Sequence, residues 1–164
     1  MKRTLIIFSA LLLSLFVASG QTHSRFEIES KYSLVHSNYG LMSLARAGGA
    51  VHVSEKLALN VEFGEGASAI NTYNHLYQVS GGIVYYFFQG GPTKFTLVEK
   101  LGGGLLWDRQ VDGTELKKGF FCLEGNPRYN VNDNFFIGVS MYGIFAKDLR
   151  ITGICNGLSV GVRF

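Results

Sequence analysis

The side chains that could act as a nucleophile or a general base are few in this sequence and are not grouped. His36 and Ser37 are adjacent in the segment VHSNYG, residues 35–40. A serine becomes a nucleophile only beside a positioned base that a third group orients, and the sequence shows no matched partner for this pair. We interpret both residues as polar positions of a loop, and no catalytic residue is predicted.

Metal and phosphate sites have no better support. The four histidines, at positions 23, 36, 52 and 75, are scattered without ligand spacing, and no paired Cys or Asp/Glu motif accompanies them. The glycines at 102–104 are followed by neither a helix pattern nor a Lys-Ser/Thr pair, so they do not form a phosphate loop. The sequence predicts no metal and no cofactor.

The first 20 residues have the three parts of a secretory signal peptide. Lys2 and Arg3 precede an apolar run from about Leu5 to Val17, and small residues follow before Gln21. A membrane-anchoring helix would need ~20 apolar residues, and this run is shorter. We expect residues 1–20 to be a cleaved signal peptide and residues 21–164 to be a single domain.

Cleavage of this signal changes the charge balance of the chain. It leaves 13 Lys plus Arg against 12 Asp plus Glu, a net charge of +1. No strong basic patch remains, so a nucleic-acid partner is not expected.

The mature chain alternates apolar with small or polar residues at a period of two, which is typical of strands with one apolar face. In LALNVEFG, for example, Leu57, Leu59, Val61 and Phe63 share one face. Eight such segments predict an all-β, up-and-down meander. Its strands are expected at 25–34, 41–53, 57–64, 73–88, 94–107, 115–129, 135–145 and 158–164.

The connections between these strands are expected to alternate in length. Short turns are predicted at 54–56, 89–93 and 130–133, and the other four connections are longer. A transmembrane barrel of the outer membrane has short turns and both termini on the periplasmic side. The pattern therefore predicts an eight-stranded antiparallel transmembrane β-barrel.

The two faces of the predicted strands differ in chemistry. The face that suits hydrocarbon consists of Phe26, Ile28, Leu59, Phe63, Val79, Ile83, Tyr85, Leu97, Leu101, Phe121, Leu123, Ile137, Val139, Met141 and Val160. The other face carries charges, which must pair inside a narrow lumen because a lone buried charge is costly. The expected lumen charge network is Glu27, Glu29, Lys31, Arg46, Glu62, Lys118, Glu124, Arg128 and Arg163, with His52, Asn60, Gln78 and Asn126 on the same face.

Strand five does not fit a strict alternation. Glu99 and Lys100 are adjacent, so one of them points at lipid unless a bulge or a position near the periplasmic interface relieves it. Their orientation stays open. The glycines at 102–104 in the same strand are expected to permit curvature and close packing of interior side chains.

The two cysteines, Cys122 and Cys155, belong to a chain expected to be exported, where a disulfide is permitted. If both lie on strands, strand seven separates them by about two strand spacings, ~9.6 Å, which exceeds the ~7 Å Cα limit for a bridge. If Cys155 lies in the last loop, this limit relaxes. Their pairing therefore stays open.

These patterns resemble the small eight-stranded outer-membrane barrels of the OmpA/OmpX type, over residues 24–164. The most specific part is the ending LSVGVRF, in which Leu158, Val160, Val162 and Phe164 resemble the signal read by the barrel assembly machinery. The resemblance implies a location in the Gram-negative outer membrane. It also implies contact with outer-membrane lipids and lipopolysaccharide, and with the assembly machinery during insertion.

Roles in this family range from structural barrel to adhesion to lipid modification. Its deacylase members have a His-x-Ser-Asn spacing late in the chain, which the contiguous and early His36, Ser37 and Asn38 do not meet. We expect a non-enzymatic barrel whose loops carry any binding role, for an unknown ligand. The alternatives are a lipid A acyl hydrolase or transferase on the same barrel and a secreted lipocalin-like carrier.

Overall fold

The computed structural model describes residues 26–37, 40–68, 75–87, 94–109, 113–145 and 153–164. The predicted signal peptide, His23 and the positions Asn38 and Tyr39 lie outside these ranges. Within them, no helix is long and apolar enough to cross a membrane.

Eight antiparallel strands form one sheet that closes on itself. Neighbours in the chain pair with each other, and the first strand pairs with the last, so the barrel has no open edge. The predicted fold class is therefore confirmed. The strands are β1 (Phe26–Ser37), β2 (Gly40–His52), β3 (Leu57–Ser68), β4 (His75–Phe87), β5 (Phe95–Arg109), β6 (Glu115–Asn130), β7 (Phe135–Phe145) and β8 (Gly153–Arg163).

The predicted alternation of connection lengths is wrong at two places. The first hairpin remains paired up to Ser37 and Gly40, so only residues 38–39 connect β1 and β2. His36 and Ser37 thus belong to β1 and not to a loop. Conversely, β4 ends at Phe87 and β5 begins at Phe95, which makes a predicted short turn seven residues long.

The strands are staggered around the barrel. The stagger is seen by starting at His52 on β2 and moving from each residue to its register partner on the next strand. The successive partners are Ala58, Val84, Lys100, Glu124, Tyr142, Cys155, Val35 and Met42. Met42 is again on β2 but ten residues before His52, and this shift corresponds to a strand tilt of roughly 40°. Because of this tilt, side chains far apart in register meet inside the lumen.

The lumen is filled in three layers. We call the end of the barrel that holds Phe26, Phe164 and the turns 53–56 and 131–134 the terminal end, and the other the loop end. A charged layer lies between two apolar ones. The loop-end apolar layer is Met42, Leu44, Leu76, Leu106, Phe120, Cys122, Tyr142, Ile144 and Cys155. The terminal-end apolar layer is Ala50, Ala58, Val84, Tyr86 and Val98.

The pairing of β6 with β7 is interrupted at Asn126 and Pro127. Backbone N–H groups alternate in direction along a strand, and the Val131 amide donates to Phe135 O on the β7 side. Pro127 has the same parity as Val131, so its nitrogen also faces β7 and has no hydrogen to donate. The Val139 carbonyl opposite Pro127 therefore lacks its ladder donor.

Close approach of strands explains the run of glycines in β5. A Cβ added to Gly102 would lie 2.5 Å from the carbonyl oxygen of Gly81, a distance that no side chain tolerates. The predicted role of residues 102–104 in close packing is supported by this contact.

Candidate functional site

Within the part of the chain that the structure describes, charged side chains converge inside the barrel in the charged layer. Its members alternate with outward-facing residues along each strand, so their position follows from the period of two. Of the nine residues in the expected charge network, eight have side chains enclosed in this layer. Lys118 is half-buried beside Leu106, at the level of the loop-end apolar layer.

Glu62 on β3 holds the centre of the network. Its Oε1 accepts a hydrogen bond from Lys31 Nζ at 2.6 Å, and its Oε2 accepts one from Lys100 Nζ at 2.6 Å. Arg46 Nη1 lies 3.4 Å from the same Oε2. Three cations therefore surround a single buried carboxylate.

Glu124 on β6 forms a bidentate ion pair with Arg46. Arg46 Nη1 donates to Glu124 Oε2 at 2.9 Å, and Arg46 Nη2 donates to Glu124 Oε1 at 3.2 Å. This geometry is the strong, planar form of an arginine–carboxylate pair. Ser140 Oγ donates to Glu124 Oε1 at 2.6 Å and accepts from Arg46 Nη2 at 2.8 Å. The guanidinium of Arg46 also lies 3.9 Å from the ring centroid of Tyr142.

Glu27 on β1 gathers donors at the terminal end. Arg163 Nε donates to its Oε1 at 2.7 Å, while Arg128 Nη1 and the Tyr86 hydroxyl donate to its Oε2 at 2.9 and 2.8 Å. His52 Nε2 lies 3.3 Å from Oε1. This carboxylate is only 1% exposed, so its charge is balanced entirely by these partners.

Glu29 and Lys31 join the two halves. Glu29 accepts from Arg128 Nη2 at 2.8 Å and from Asn126 Nδ2 at 2.6 Å. Lys31 Nζ lies 3.1 Å from Glu29 and 3.0 Å from Glu124. The result is one continuous network in which each charge has an opposite neighbour, as burial requires.

A small enclosed cavity of about 20 Å³ remains inside the network. It is bordered by Asn60, Lys100 and Asn126 among others, and the buried Asn60 Oδ1 has no protein partner. This volume has room for about one water molecule.

The hydroxyls of Ser140 and Ser159 are engaged in hydrogen bonds to neighbouring side chains. Ser140 donates its hydrogen bond to Glu124, as described above. A Gly-x-Ser-x-Gly spacing, which can mark a nucleophilic serine, occurs at GLSVG, residues 157–161. It lies within β8 and not at a strand-to-helix turn, and Ser159 Oγ donates to Asn126 Oδ1 at 3.2 Å.

Five members of the hydrogen-bonded network were not assigned from sequence: Lys100, Tyr86, Ser80, Ser140 and Ser159. The structure turns Lys100 inward to Glu62 and leaves Glu99 exposed on the outer face. The signal for Lys100 was present, since it has the parity of the inward Thr96 and Val98. The three serines and Tyr86 carry no charge that would have distinguished them.

The cysteines are placed by the strand bounds. Cys155 lies in β8 and not in the last loop, and both Cys122 and Cys155 are free, buried thiols. Strand β7 separates them, and its Tyr142 is the register partner of Cys155. Both thiols belong to the loop-end apolar layer.

The C-terminal residues lie on the outer face as predicted. Leu158 and Phe164 are 71% and 67% exposed, and Val160 and Val162 point the same way. The Phe164 amide donates to Phe26 O at 2.8 Å, and the Phe26 amide donates to Phe164 O at 3.2 Å. These two bonds complete the closure of the barrel. An assembly role for the four residues stays a prediction.

Solved structures with the same architecture are bacterial outer-membrane barrels, although the sequences have diverged far. The N-terminal β-barrel domain of OprF from Pseudomonas aeruginosa is 17% identical, with a TM-score of 0.65 over 88% of this chain and 100% of that one. Neisserial surface protein A is 13% identical, with a TM-score of 0.65 over 85% and 94%. The attachment invasion locus protein Ail of Yersinia pestis is 16% identical, with a TM-score of 0.53 over 87% and 100%.

No protein-family model matches the sequence, and no curated protein sequence matches it either. At these identities the likeness shows the fold alone. The chain therefore has the fold of the small eight-stranded outer-membrane β-barrels, and the predicted resemblance is confirmed at that level.

Proposed function

We propose that the chain is an integral protein of the Gram-negative outer membrane, without enzymatic activity, whose closed barrel presents its loop-end connections to the exterior. The observation that carries this proposal is the distribution of polarity, which is the reverse of that in a soluble protein. Ion pairs fill the middle layer of the interior, and large apolar side chains are exposed on the outer face of seven of the eight strands, while the exposed positions of β2 are Ala45 and Ala47. Such an exterior is stable only against hydrocarbon.

The outer face supports the proposal in detail. Exposed apolar residues on successive strands include Ile28, Val61, Ile83, Leu101, Leu123, Ile137 and Val160. Aromatic side chains lie toward the two ends of this belt. Phe95 and Tyr129 are at the terminal end and Tyr77 and Trp107 at the loop end, where membrane interfaces favour aromatic rings.

The carrier alternative is not favoured by the lumen. A carrier of apolar ligands needs an apolar cavity of several hundred Å³, whereas the space enclosed in the charged layer is about 20 Å³. Charged residues of the network line that space together with Ala50, Val84, Tyr86 and Val98.

The enzyme alternative lacks a positioned nucleophile in the described residues. The hydroxyl of Ser140 is held by Glu124 and Arg46, and the buried His52 contacts Glu27. A structural, adhesive or surface-binding role through the connections is favoured instead. That Ail is named for attachment and invasion is consistent with such a role.

Heat-modifiable migration of the protein in the membrane fraction tests the location. We expect the unheated protein to sediment with outer membranes and to migrate faster than the boiled protein, because the closed barrel resists detergent. Recovery in the soluble periplasmic fraction would reject the proposal in favour of a carrier.

Mass analysis of lipid A tests the absence of enzymatic activity. Cells with and without the protein should have the same acyl pattern. A chain-length or acyl-number change that depends on the protein would establish the enzyme alternative.

A further inference from the structure

The outer face of the barrel carries two open grooves of similar volume, and the one beside the β6–β7 interruption ends at aromatic rings and a lysine. It has a volume of about 730 Å³ and crosses the outer faces of β1, β8, β7 and β6. The residues that line it include Pro127, Val139 and Val160, together with the aromatic residues Tyr32, Phe95 and Tyr129. Almost all the atoms that line it are apolar.

Pro127 and Val139, which line this groove, lie at the interruption between β6 and β7. Pro127 has no N–H, and the Val139 carbonyl opposite it lacks a ladder donor, as derived above. Proline within a sheet that has no edge is unusual, since it removes a ladder bond. In hydrocarbon an unpaired backbone group also has no water to bind.

The terminal end of the groove has the opposite chemistry. Phe95 and Tyr129 pack edge to face there, with ring centroids 5.2 Å apart. Lys94 Nζ lies 5.8 Å from the centroid of the Tyr129 ring. Among the described residues, Lys94 has no carboxylate partner. An apolar groove that ends at aromatic rings and an unpaired cation is complementary to an anionic amphiphile.

We propose that this groove binds one phospholipid of the periplasm-facing leaflet, with an acyl chain over Pro127 and Val160 and the phosphate beside Lys94. The proposal rests on the proposed function, which puts the terminal end at the periplasm. A phospholipid is favoured over a second barrel because the recess ends at a single cation. A second copy would bring its own Lys94 or an apolar strand to that place.

Native mass spectrometry of the full-length barrel, purified from outer membranes in mild detergent and titrated with phosphatidylglycerol, tests the proposal. We expect one lipid to be retained by the wild-type protein. Val160→Trp, which fills the groove, should reduce retention at least fivefold. Lys94→Gln should weaken retention several-fold, because the phosphate loses its cation.

Matched variants control for nonspecific effects. Val61→Trp adds the same side chain to an outward position on β3, and Lys56→Gln removes a cation from another terminal-end turn. Both should retain the lipid as the wild type does. If Val160→Trp retains as much lipid as the wild type, the acyl chain does not lie in the groove. If Lys94→Gln retains as much lipid as the wild type, the phosphate does not lie beside Lys94.

Two other outcomes distinguish the competing explanations. A dimer that is lost in Val160→Trp would assign the groove to a second copy and overturn the proposal. A heat-modifiable barrel that retains no lipid would overturn this inference alone. A protein found in the soluble fraction would overturn the proposed function together with it.

Discussion

Lys31 shows how a single residue connects the interior of the barrel. Its ammonium group contacts carboxylates from three strands, Glu29 at 3.1 Å, Glu62 at 2.6 Å and Glu124 at 3.0 Å. A lysine has three donors and no acceptor, and three carboxylates surround this one, of which Glu62 accepts a hydrogen bond. The network therefore acts as one unit and not as a set of separate pairs.

Glu62→Gln is predicted to destabilise the barrel strongly. The change removes a buried negative charge that faces Lys31, Lys100 and Arg46 and leaves those cations undercompensated. Breaking a buried ion pair from one side costs about 3–5 kcal/mol. Urea unfolding of the detergent-refolded protein, followed by fluorescence of the only tryptophan, Trp107, measures the change in the free energy of unfolding.

An exposed acid supplies the control. Glu115 is 3.6 Å from Lys117, and both side chains are largely exposed, so Glu115→Gln should cost less than about 1 kcal/mol. Adding Lys100→Met to Glu62→Gln should restore part of the stability, because one unpaired cation is removed. Equal stability of Glu62→Gln and Glu115→Gln would mean that the network contributes little.

The inward positions could be predicted from sequence, but the partners could not. Parity alone put Glu27, Arg46 and Glu124 in the lumen. Which acid meets which base depends on the ten-residue stagger of the strands, and no local pattern encodes it. Arg46 and Glu124, for example, are 78 positions apart.

At the scale of elements, the β6–β7 pair is the irregular part of the wall. The other neighbouring strands are paired without a break, whereas β6 and β7 lose their pairing at Asn126 and Pro127. The defect follows from one residue, because Pro127 points its nitrogen at β7. Its neighbours Arg128 and Glu124 still hold the lumen side through ion pairs.

Pro127→Leu is predicted to stabilise the barrel. The new N–H can bond to the Val139 carbonyl, and leucine keeps an apolar side chain toward lipid. A recovered hydrogen bond is worth about 1 kcal/mol in water and more in hydrocarbon, where the carbonyl has no other donor. The greater freedom of the unfolded chain without proline offsets roughly 0.4–1 kcal/mol of this gain. We expect a net rise of about 1 kcal/mol in urea unfolding.

A neighbouring position tests whether the gain comes from the hydrogen bond. Leu123 faces outward on the same strand and already has its N–H, so Leu123→Val should give no increase. If Pro127→Leu is no more stable than wild type, the inferred unpaired carbonyl is incorrect.

Strand number and order could be read from the alternation of residues, whereas strand ends could not. Ser37 and Gly40 extend the first hairpin beyond the segment that looked like a loop. Their pairing depends on a neighbouring strand, and residues such as Ser, Asn and Gly indicate turns whether or not pairing continues.

At the scale of the whole molecule, the barrel depends on the contact between its first and last strands. The backbones of Phe26 and Phe164 exchange two hydrogen bonds, at 2.8 and 3.2 Å. Nothing in the local sequence of either strand determines this pairing, which joins the two ends of the described chain. The contact that closes the barrel therefore joins residues that are farthest apart along the described sequence.

Deletion of Phe164 is predicted to lower the amount of protein in the outer membrane several-fold, and far more than Tyr39→Ala. The deletion removes a member of the predicted assembly signal and both closing backbone bonds. Quantitative immunoblots of the membrane fraction measure the amounts. Phe164→Ala, which keeps the backbone bonds, should give an intermediate amount. Equal amounts of the deletion and Tyr39→Ala would refute the assembly role.

Four side chains surround Glu27, three of them as hydrogen-bond donors, and this arrangement affects how the barrel forms. They come from β2, β4, β6 and β8, and three of them are 59, 101 and 136 positions away along the chain. A sheet that has inserted without closing would expose this carboxylate to hydrocarbon with only some of its donors in place. Partly closed states are therefore high in free energy, and contacts of such long range form slowly. We expect closure and membrane burial to occur in one cooperative step, with Glu27 satisfied only when it is complete.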